Sequence, residues 1–362
     1  MSVLQGLTRR GFLAAAGVTI GGGLLASCER KQAGAGSGAG SLTLYCSADS
    51  VYAEPIIAEF ARRTGVRVDP VFDTEATKTT GLVNRLLSEK DRPRCDVWWS
   101  SEPFGTIRLA RAGVLTAYTS AAAEASMAQA TPAGWPERLR AGDRTWYGFG
   151  SRARVIVYNT RAIPSAQPPR TLQDLCDGAL KGRIGIARPQ FGTTRGHMAA
   201  IVAARGGSAL EKWLTAAKAN SLRLYDGNAS VVRAVGTGEI HAGLTDTDDV
   251  FAGQREGWPV ELVYEAPGEQ AVGTLVLPNT VALVRAGPAG TAAAGALADF
   301  LLSTDVQRML AQSESHNMPV DPALVREFAR FGPGADKLAP VELPAVADSV
   351  DAAMEICGRV LG

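Results

Sequence analysis

Much of the chemistry legible in this 362-residue chain is concentrated in one short run, Thr245-Asp246-Thr247-Asp248-Asp249. Its carboxylates offer hard oxygen donors, which suit Fe³⁺, Mn²⁺, Ca²⁺ or Mg²⁺ and disfavour soft metals. Their usable geometry depends on the local backbone. In a strand continuing from Ala242, Asp246 and Asp248 share a face and Asp249 points away. In a helix starting here, Asp246 is the N-cap, and Asp248 and Asp249 are first-turn acids favoured by the helix dipole. Both arrangements stay open at this point. A second constellation is Phe191-Gly192-Thr193-Thr194-Arg195-Gly196-His197. A glycine and two hydroxyls open a predicted helix, whose free N–H groups can hold an anion at Gly192, Thr193 and Thr194. N-capping by Thr193 is compatible with that role. Arg152 and Arg154, on or near a predicted buried strand, either add positive charge to such a site or pair with nearby acids.

Other chemistries lack their residues. The chain has no G-x-S-x-G, H-E-x-x-H or P-loop pattern, and no cysteine–histidine pair suggests a nucleophile, so the expectation is a protein that is not an enzyme. His197, His241 and His316 are scattered and show no metal spacing. Lys plus Arg number 37 and Asp plus Glu 36, so no charge imbalance draws the chain to nucleic acid. Trp98, Trp99, Trp146 and Tyr147 sit at predicted strand ends and read as core packing in preference to cleft lining.

The N-terminus carries an export address. Thr8-Arg9-Arg10-Gly11-Phe12-Leu13 is a twin-arginine signal, an apolar run follows, and Leu25-Ala26-Ser27-Cys28 reads as a lipobox. The expectation is a signal peptide over 1–27, a lipidated Cys28 and a flexible linker over 28–40. The mature protein is then expected on the periplasmic or cell-surface side of a membrane, exported by the Tat route and held by lipid. The remaining Cys46, Cys95, Cys176 and Cys357 form no C-x-x-C and are either disulfide partners or small buried hydrophobes.

Positioning these residues takes two lobes, because about 335 mature residues are many for one core. Leu42–Tyr45, Val66–Val71 and Asp96–Trp99 read as strands. They alternate with helices over Val51–Thr64, about Leu82–Leu87, and a third ending near Gly113. Arg154–Asn159 is a buried strand, as are Thr274–Pro278 and Thr280–Val284. Between them lie strands at Arg183–Ala187, Leu222–Leu224 and Ala242–Leu244, with helices after Thr193, through Trp213 and across Val231-Val232. Helices follow over Ala298–Leu302 and Val306–Leu310, and from Ala345 to Val360. Alternation of this kind predicts parallel, helix-covered sheets. The expected lobes are 41–148 with 276–318, and 149–275 with 319–362.

Several ordered segments carry a family resemblance. They are Leu42–Tyr45 before Phe60 and Thr64-Gly65-Val66, and Cys95–Trp99 before Ala112–Leu115. Val157-Tyr158-Asn159 then precedes Gly182-Arg183-Ile184, Gly238-Glu239-Ile240 runs into Gly243–Asp246, and Pro278–Leu283 comes before Leu301-Leu302-Ser303. Over nearly all of 41–320 the chain resembles the extracellular solute-binding proteins of ABC importers, in the group containing the ferric-ion-binding proteins. The resemblance implies a two-lobed, type II-like periplasmic binding fold with two crossover hinge strands and a cleft. It also implies permease and ATPase partners, a monomeric receptor and bound iron completed by a synergistic anion. The family's metal-binding tyrosine pair falls here on Asp248-Asp249, its first-lobe histidine near Asp49, and its carboxylate close to Glu102, with spacing off by one. Asp49 and Glu102 also read as plain turn or loop acids. The same two poles suit a zwitterion such as an aminophosphonate, its ammonium among Asp49, Asp246 and Asp248, its phosphonate on the helix end.

Overall fold

The computed structural model describes residues 41–74, 77–120, 124, 135–269 and 271–362. Arg9, Arg10, Cys28, the proposed signal and the linker lie outside the described residues. Among those described, no helix is long and apolar enough to cross a membrane.

The chain begins β1 (Ser41–Cys46), α1 (Ser50–Thr64), β2 (Arg67–Phe72), α2 (Thr80–Ser88), β3 (Val97–Ser100), α3 (Pro103–Arg111) and β4 (Leu115–Thr116). Helix α1 forms as its periodicity predicts: Tyr52, Ile56, Ile57 and Phe60 are buried on one face. Gly65, at φ 71°, ends it by donating its N–H to the Ala61 carbonyl. Then come β5 (Tyr147–Asn159), β6 (Ile184–Ala187), α4 (Gly192–Arg205), α5 (Gly207–Ala219), β7 (Arg223–Tyr225) and α6 (Asn228–Gly236). Next are β8 (Ala242–Asp246), α7 (Thr247–Arg255) and β9 (Val260–Val263). The last part is β10 (Val276–Val284), α8 (Thr291–Leu302), α9 (Thr304–Gln312), α10 (Pro322–Glu327), α11 (Leu343–Asp348) and α12 (Val350–Leu361).

The strands run in the order β2-β1-β3-β10-β5-β8-β6-β7, with β4 also on β10 and β9 also on β5. Two parallel sections, β2-β1-β3 and β8-β6-β7, are joined through the antiparallel β10 and β5. Residues Tyr147–Ala153 of β5 pair with β10, and Arg154–Asn159 pair with β8 and β9. One strand therefore leaves the first section for the second, and β10 returns beside it. These are the two crossover strands that the sequence predicts. Their pairing slips at Pro278/Asn279, opposite Gly150. Gly150 has φ 48°, and a Cβ there would meet Leu310 Cδ1 at 2.8 Å. The left-handed backbone favours glycine at this bend, and a larger side chain would have to displace the tip of Leu310.

One sequence expectation needs correction. Ala345 to Val360 is not one helix but α11 and α12, broken at Ser349. Helix α11 buries Leu343 and Val346 against α3 and α4, whereas α12 buries Ala353, Ile356 and Cys357 against α4 and α5. A straight helix does not present its apolar stripe to both surfaces. Cys46, Cys95, Cys176 and Cys357 are all free thiols; Cys46, Cys95 and Cys357 are buried as small hydrophobes, and Cys176 is half-buried. Trp98, Trp99, Trp146 and Tyr147 lie in the core as expected, with Trp98 Nε1 donating to Thr106 Oγ1 at 2.8 Å.

Candidate functional site

Ligands of open α/β sheets bind beyond the carboxyl ends of the parallel strands, where chain turns and helix starts converge. The same logic assembles the site here. Asp49 follows β1, Lys78 follows β2 and Ser101 follows β3. Arg188 follows β6, Asn228 follows β7, and Asp246 and Asp249 follow from β8. All of these line one crevice of about 100 Å³, together with Arg152 of β5 and Gly192, Thr193 and Thr194 of α4. A larger, mostly apolar cavity of about 490 Å³ lies around Leu275, Val276, Met318 and Phe328, away from the acidic run.

Strand β8 runs through Asp246 and α7 starts immediately after it, so the second backbone alternative is realised. Asp248 and Asp249 are first-turn acids. Asp246 has an extended backbone at the cap position, but its side chain makes no cap bond. It turns to Arg154, its cross-strand neighbour on β5. Asp246 Oδ1 accepts from Arg154 Nη1 at 2.8 Å, while Oδ2 accepts from Thr193 Oγ1 at 2.5 Å and from Asn228 Nδ2 at 2.9 Å. Thr193 is therefore not an N-cap. Phe191 holds that position, and Thr193 ties the first turn of α4 to β8. The backbone N–H of Gly192 is also engaged, donating to the Lys78 carbonyl at 3.3 Å. Arg154 Nε donates to His197 Nδ1 at 3.4 Å. Burial and the Arg154 charge push His197 down to about 3, which keeps it neutral and able to accept.

Asp248 belongs to a second network that reaches across to the first section. Arg152, 3 % exposed, lies 3.1 Å from Asp248 Oδ2 through Nη1 and donates to Tyr52 Oη at 3.0 Å through Nη2. Tyr52 Oη donates in turn to Asp49 Oδ2 at 3.0 Å, and Lys78 Nζ donates to Asp49 Oδ1. Burial holds the Tyr52 phenol far from ionisation, so it is a relay and not a phenolate. Burial opposes the charge on Asp49, yet Lys78 and Arg152 hold its carboxyl below the usual range. Burial and the neighbouring Asp246 and Asp49 push Asp248 up to about 6 against the pull of Arg152. Asp249 is raised well above the ordinary value by burial and then by Asp248, Asp246 and Asp49.

The donor set fits a hard cation. Asp246, Asp248 and Asp249 each offer an oxygen within 4.8 Å of the others. Asp248 Oδ1 is buried without a hydrogen-bond partner. Such an orphan costs about 1–3 kcal/mol, and a cation there would relieve both the desolvation and the mutual repulsion. Both oxygens of Asp246 and both of Asp49 are already engaged, so Asp248 and Asp249 keep the most coordinating capacity.

Glu102 is placed differently. Both its oxygens cap α3, accepting from Phe104 N at 2.5 Å and Gly105 N at 2.9 Å, and it does not line the crevice. The sequence reading also missed Lys78, Tyr52 and Asn228. Their signal was position: each lies just after a strand end or on the helix that follows it. Asp226-Gly227-Asn228 was legible as a turn into a helix.

A family model for bacterial extracellular solute-binding proteins matches residues 101–338. The chain is 28 % identical to the iron uptake protein A1 of Synechocystis sp., over 95 % of this chain and 97 % of that one. It is 24 % identical to the major ferric iron-binding protein of Neisseria meningitidis serogroup B, over 88 % of this chain and 91 % of that one. The crystal structure of iron-bound HitA from Pseudomonas aeruginosa superposes with a TM-score of 0.74 at 24 % identity, covering 88 % of this chain and 99 % of that one. With a family model matching well over half of its length, the chain belongs to the bacterial extracellular solute-binding proteins, a family of transport receptors and not of enzymes.

Proposed function

We propose that this chain is the extracytoplasmic receptor of an ABC importer and captures an iron-type metal ion, with a small anion, in the crevice between its lobes. The observation that carries the reading is the convergence of Asp246, Asp248 and Asp249 beside an orphaned Asp248 Oδ1. Asp49 faces them from the first section, so one cation drawn to both sides favours the closed form that a permease selects. The anion pole comprises Thr193, Thr194 and the two arginines of β5. Relatives named for iron support the choice of cargo. The lobes are bounded as 41–148 with 276–318, and 149–275 with 319–362. Arg9-Arg10 and Cys28 direct Tat export and lipid anchoring, and the receptor acts as a monomer with a permease and an ATPase.

The test is a melting-temperature panel with elemental analysis. Saturation at a hundred times Kd adds about 2.7 kcal/mol of stability, so Fe³⁺, Fe²⁺ or Mn²⁺ should raise Tm by several degrees and co-purify with the protein. If none of the three shifts Tm while an aminophosphonate does, the cargo is the organic solute.

A further inference from the structure

Asp49 lines the crevice from the first section, yet both of its oxygens are taken. Tyr52 Oη donates to Oδ2, and Lys78 Nζ donates to Oδ1. A cation can bond Asp49 only by replacing one of these donors. Tyr52 is badly placed to leave, because it is buried and its Oη also accepts from Arg152. Lys78 is well placed. Its side chain is 19 % exposed and that of Asp49 35 %, so water reaches this pair. Arg152 and Arg154 have no such access. Both are buried, and each holds more than one partner. An ammonium on a flexible four-carbon stem can also leave for water, where it is strongly hydrated, more readily than a guanidinium fixed by several bonds.

The backbone delivers Lys78 to this spot. Its carbonyl accepts from the Gly192 N–H of α4 at 3.3 Å, a bond between the two sections. Thr79, next in the chain, is buried and has φ 66° and ψ −49°. A β-branched residue rarely adopts that conformation, which persists only where its surroundings over-determine it. Here Thr79 Oγ1 donates to Ser47 Oγ, just after β1, at 3.2 Å. The anchored backbone keeps Lys78 in the wall of the crevice, beside Asp49 and across from the acids of α7.

We propose that Lys78 is an internal competitor of the cargo, a tethered cation that neutralises Asp49 until an incoming metal ion displaces it. Once displaced, the ammonium swings out to water and Asp49 Oδ1 turns to the metal. The receptor therefore refuses cations that offer Asp49 no more than the lysine does, and admits those whose direct oxygen bonds outweigh it. This inference rests on the metal-receptor reading and deepens it.

The experiment is calorimetric titration of the full folded chain with Mn²⁺. It is repeated on Lys78→Met, on Lys78→Arg, on Asp49→Asn and on the chain carrying both Lys78→Met and Asp49→Asn. Lys78→Met should bind Mn²⁺ about tenfold more tightly than wild type, the scale of one charge-assisted hydrogen bond that no longer has to be broken. Lys78→Arg keeps the charge and should show no gain. In the Asp49→Asn background Lys78→Met should lose most of its gain, because the competition is for Asp49. Lys78→Gln takes the place of the methionine variant if that variant does not melt cooperatively. Equal or weaker Mn²⁺ binding by Lys78→Met, or a gain undiminished by Asp49→Asn, overturns the role of Lys78 and leaves the metal reading standing. Absence of binding by wild type and variants alike, with Mn²⁺ and with ferric nitrilotriacetate, overturns both.

Discussion

Asp248 and Asp249 show how position in the fold sets the behaviour of a carboxylate. Asp249 is the more open to test, because among the described residues its only side-chain bond is a long one, from Thr245 Oγ1 at 3.3 Å. Its folded pKa is raised by burial and by three acidic neighbours. A raised carboxylate favours folding below its unfolded pKa near 4, and loses that contribution as pH rises through the folded value. The metal-free protein should therefore lose stability through this group as pH climbs above about 4. Asp249→Asn should melt at higher temperature than wild type at pH 7 to 8, converge with it near pH 4, and bind metal more weakly. Melting curves across pH, with and without Mn²⁺, check the sign. Asp248→Ala is a blunt variant. It strands the buried Arg152 guanidinium, at a cost of about 3–5 kcal/mol, so lost binding would be mixed with lost stability. Asp248→Asn keeps a hydrogen-bonding oxygen beside Arg152 and should weaken metal binding while the protein stays folded, read by calorimetric titration alongside urea unfolding.

At the scale of elements, α3 and α4 meet near their starts. Phe104 of α3 fills the space above Gly196 of α4, where a Cβ would stand 2.1 Å from Phe104 Cε2. Gly196→Ala forces Phe104 or a helix to move, and overpacking of this kind costs about 1–3 kcal/mol. The expected outcome is a lower urea midpoint together with weaker metal binding, although no ligand-bearing side chain is touched. Unchanged values for both would mean that α3 and α4 separate freely. The alternating strands and helices were legible because each carries a clean hydrophobic period, as in α1 with Tyr52, Ile56, Ile57 and Phe60. The break at Ser349 was not, because Ala345 to Val360 is periodic throughout and only the surfaces waiting for α11 and α12 decide where it turns. Asp246, Asp248 and Asp249 were legible as a cluster from spacing alone. Their arginine partners on β5 were only half legible, since the pairing of Arg154 with Asp246 is a matter of strand register. Glu102 read as a ligand candidate because a cap and a ligand look alike when the donors they meet are unknown. Its two bonds to α3 settle where its oxygens go.

At the scale of the whole molecule, β5 and β10 join the halves, and the crevice draws on both. Asp49 and Lys78 come from the first section, Asp246 to Asp249 from the second, and Arg152 from the strand that links them. On the proposed reading, cargo binding is coupled to closure and to protonation together. Because burial and the neighbouring Asp246 and Asp49 push Asp248 up to about 6, metal and proton should compete there, and metal affinity should fall as pH drops from 7 towards 5. Asp248→Asn should flatten that dependence, a comparison made by titration at several pH values. The central claim is that the cation sits among these carboxylates, and anomalous diffraction at the iron edge from crystals of the iron-loaded protein tests it most directly. The account predicts one strong peak within bonding distance of Asp248 and Asp249, with Asp49 facing it from the other lobe. A peak elsewhere, or an organic solute held by Lys78 and Arg188 in the same crevice with no peak, would contradict it.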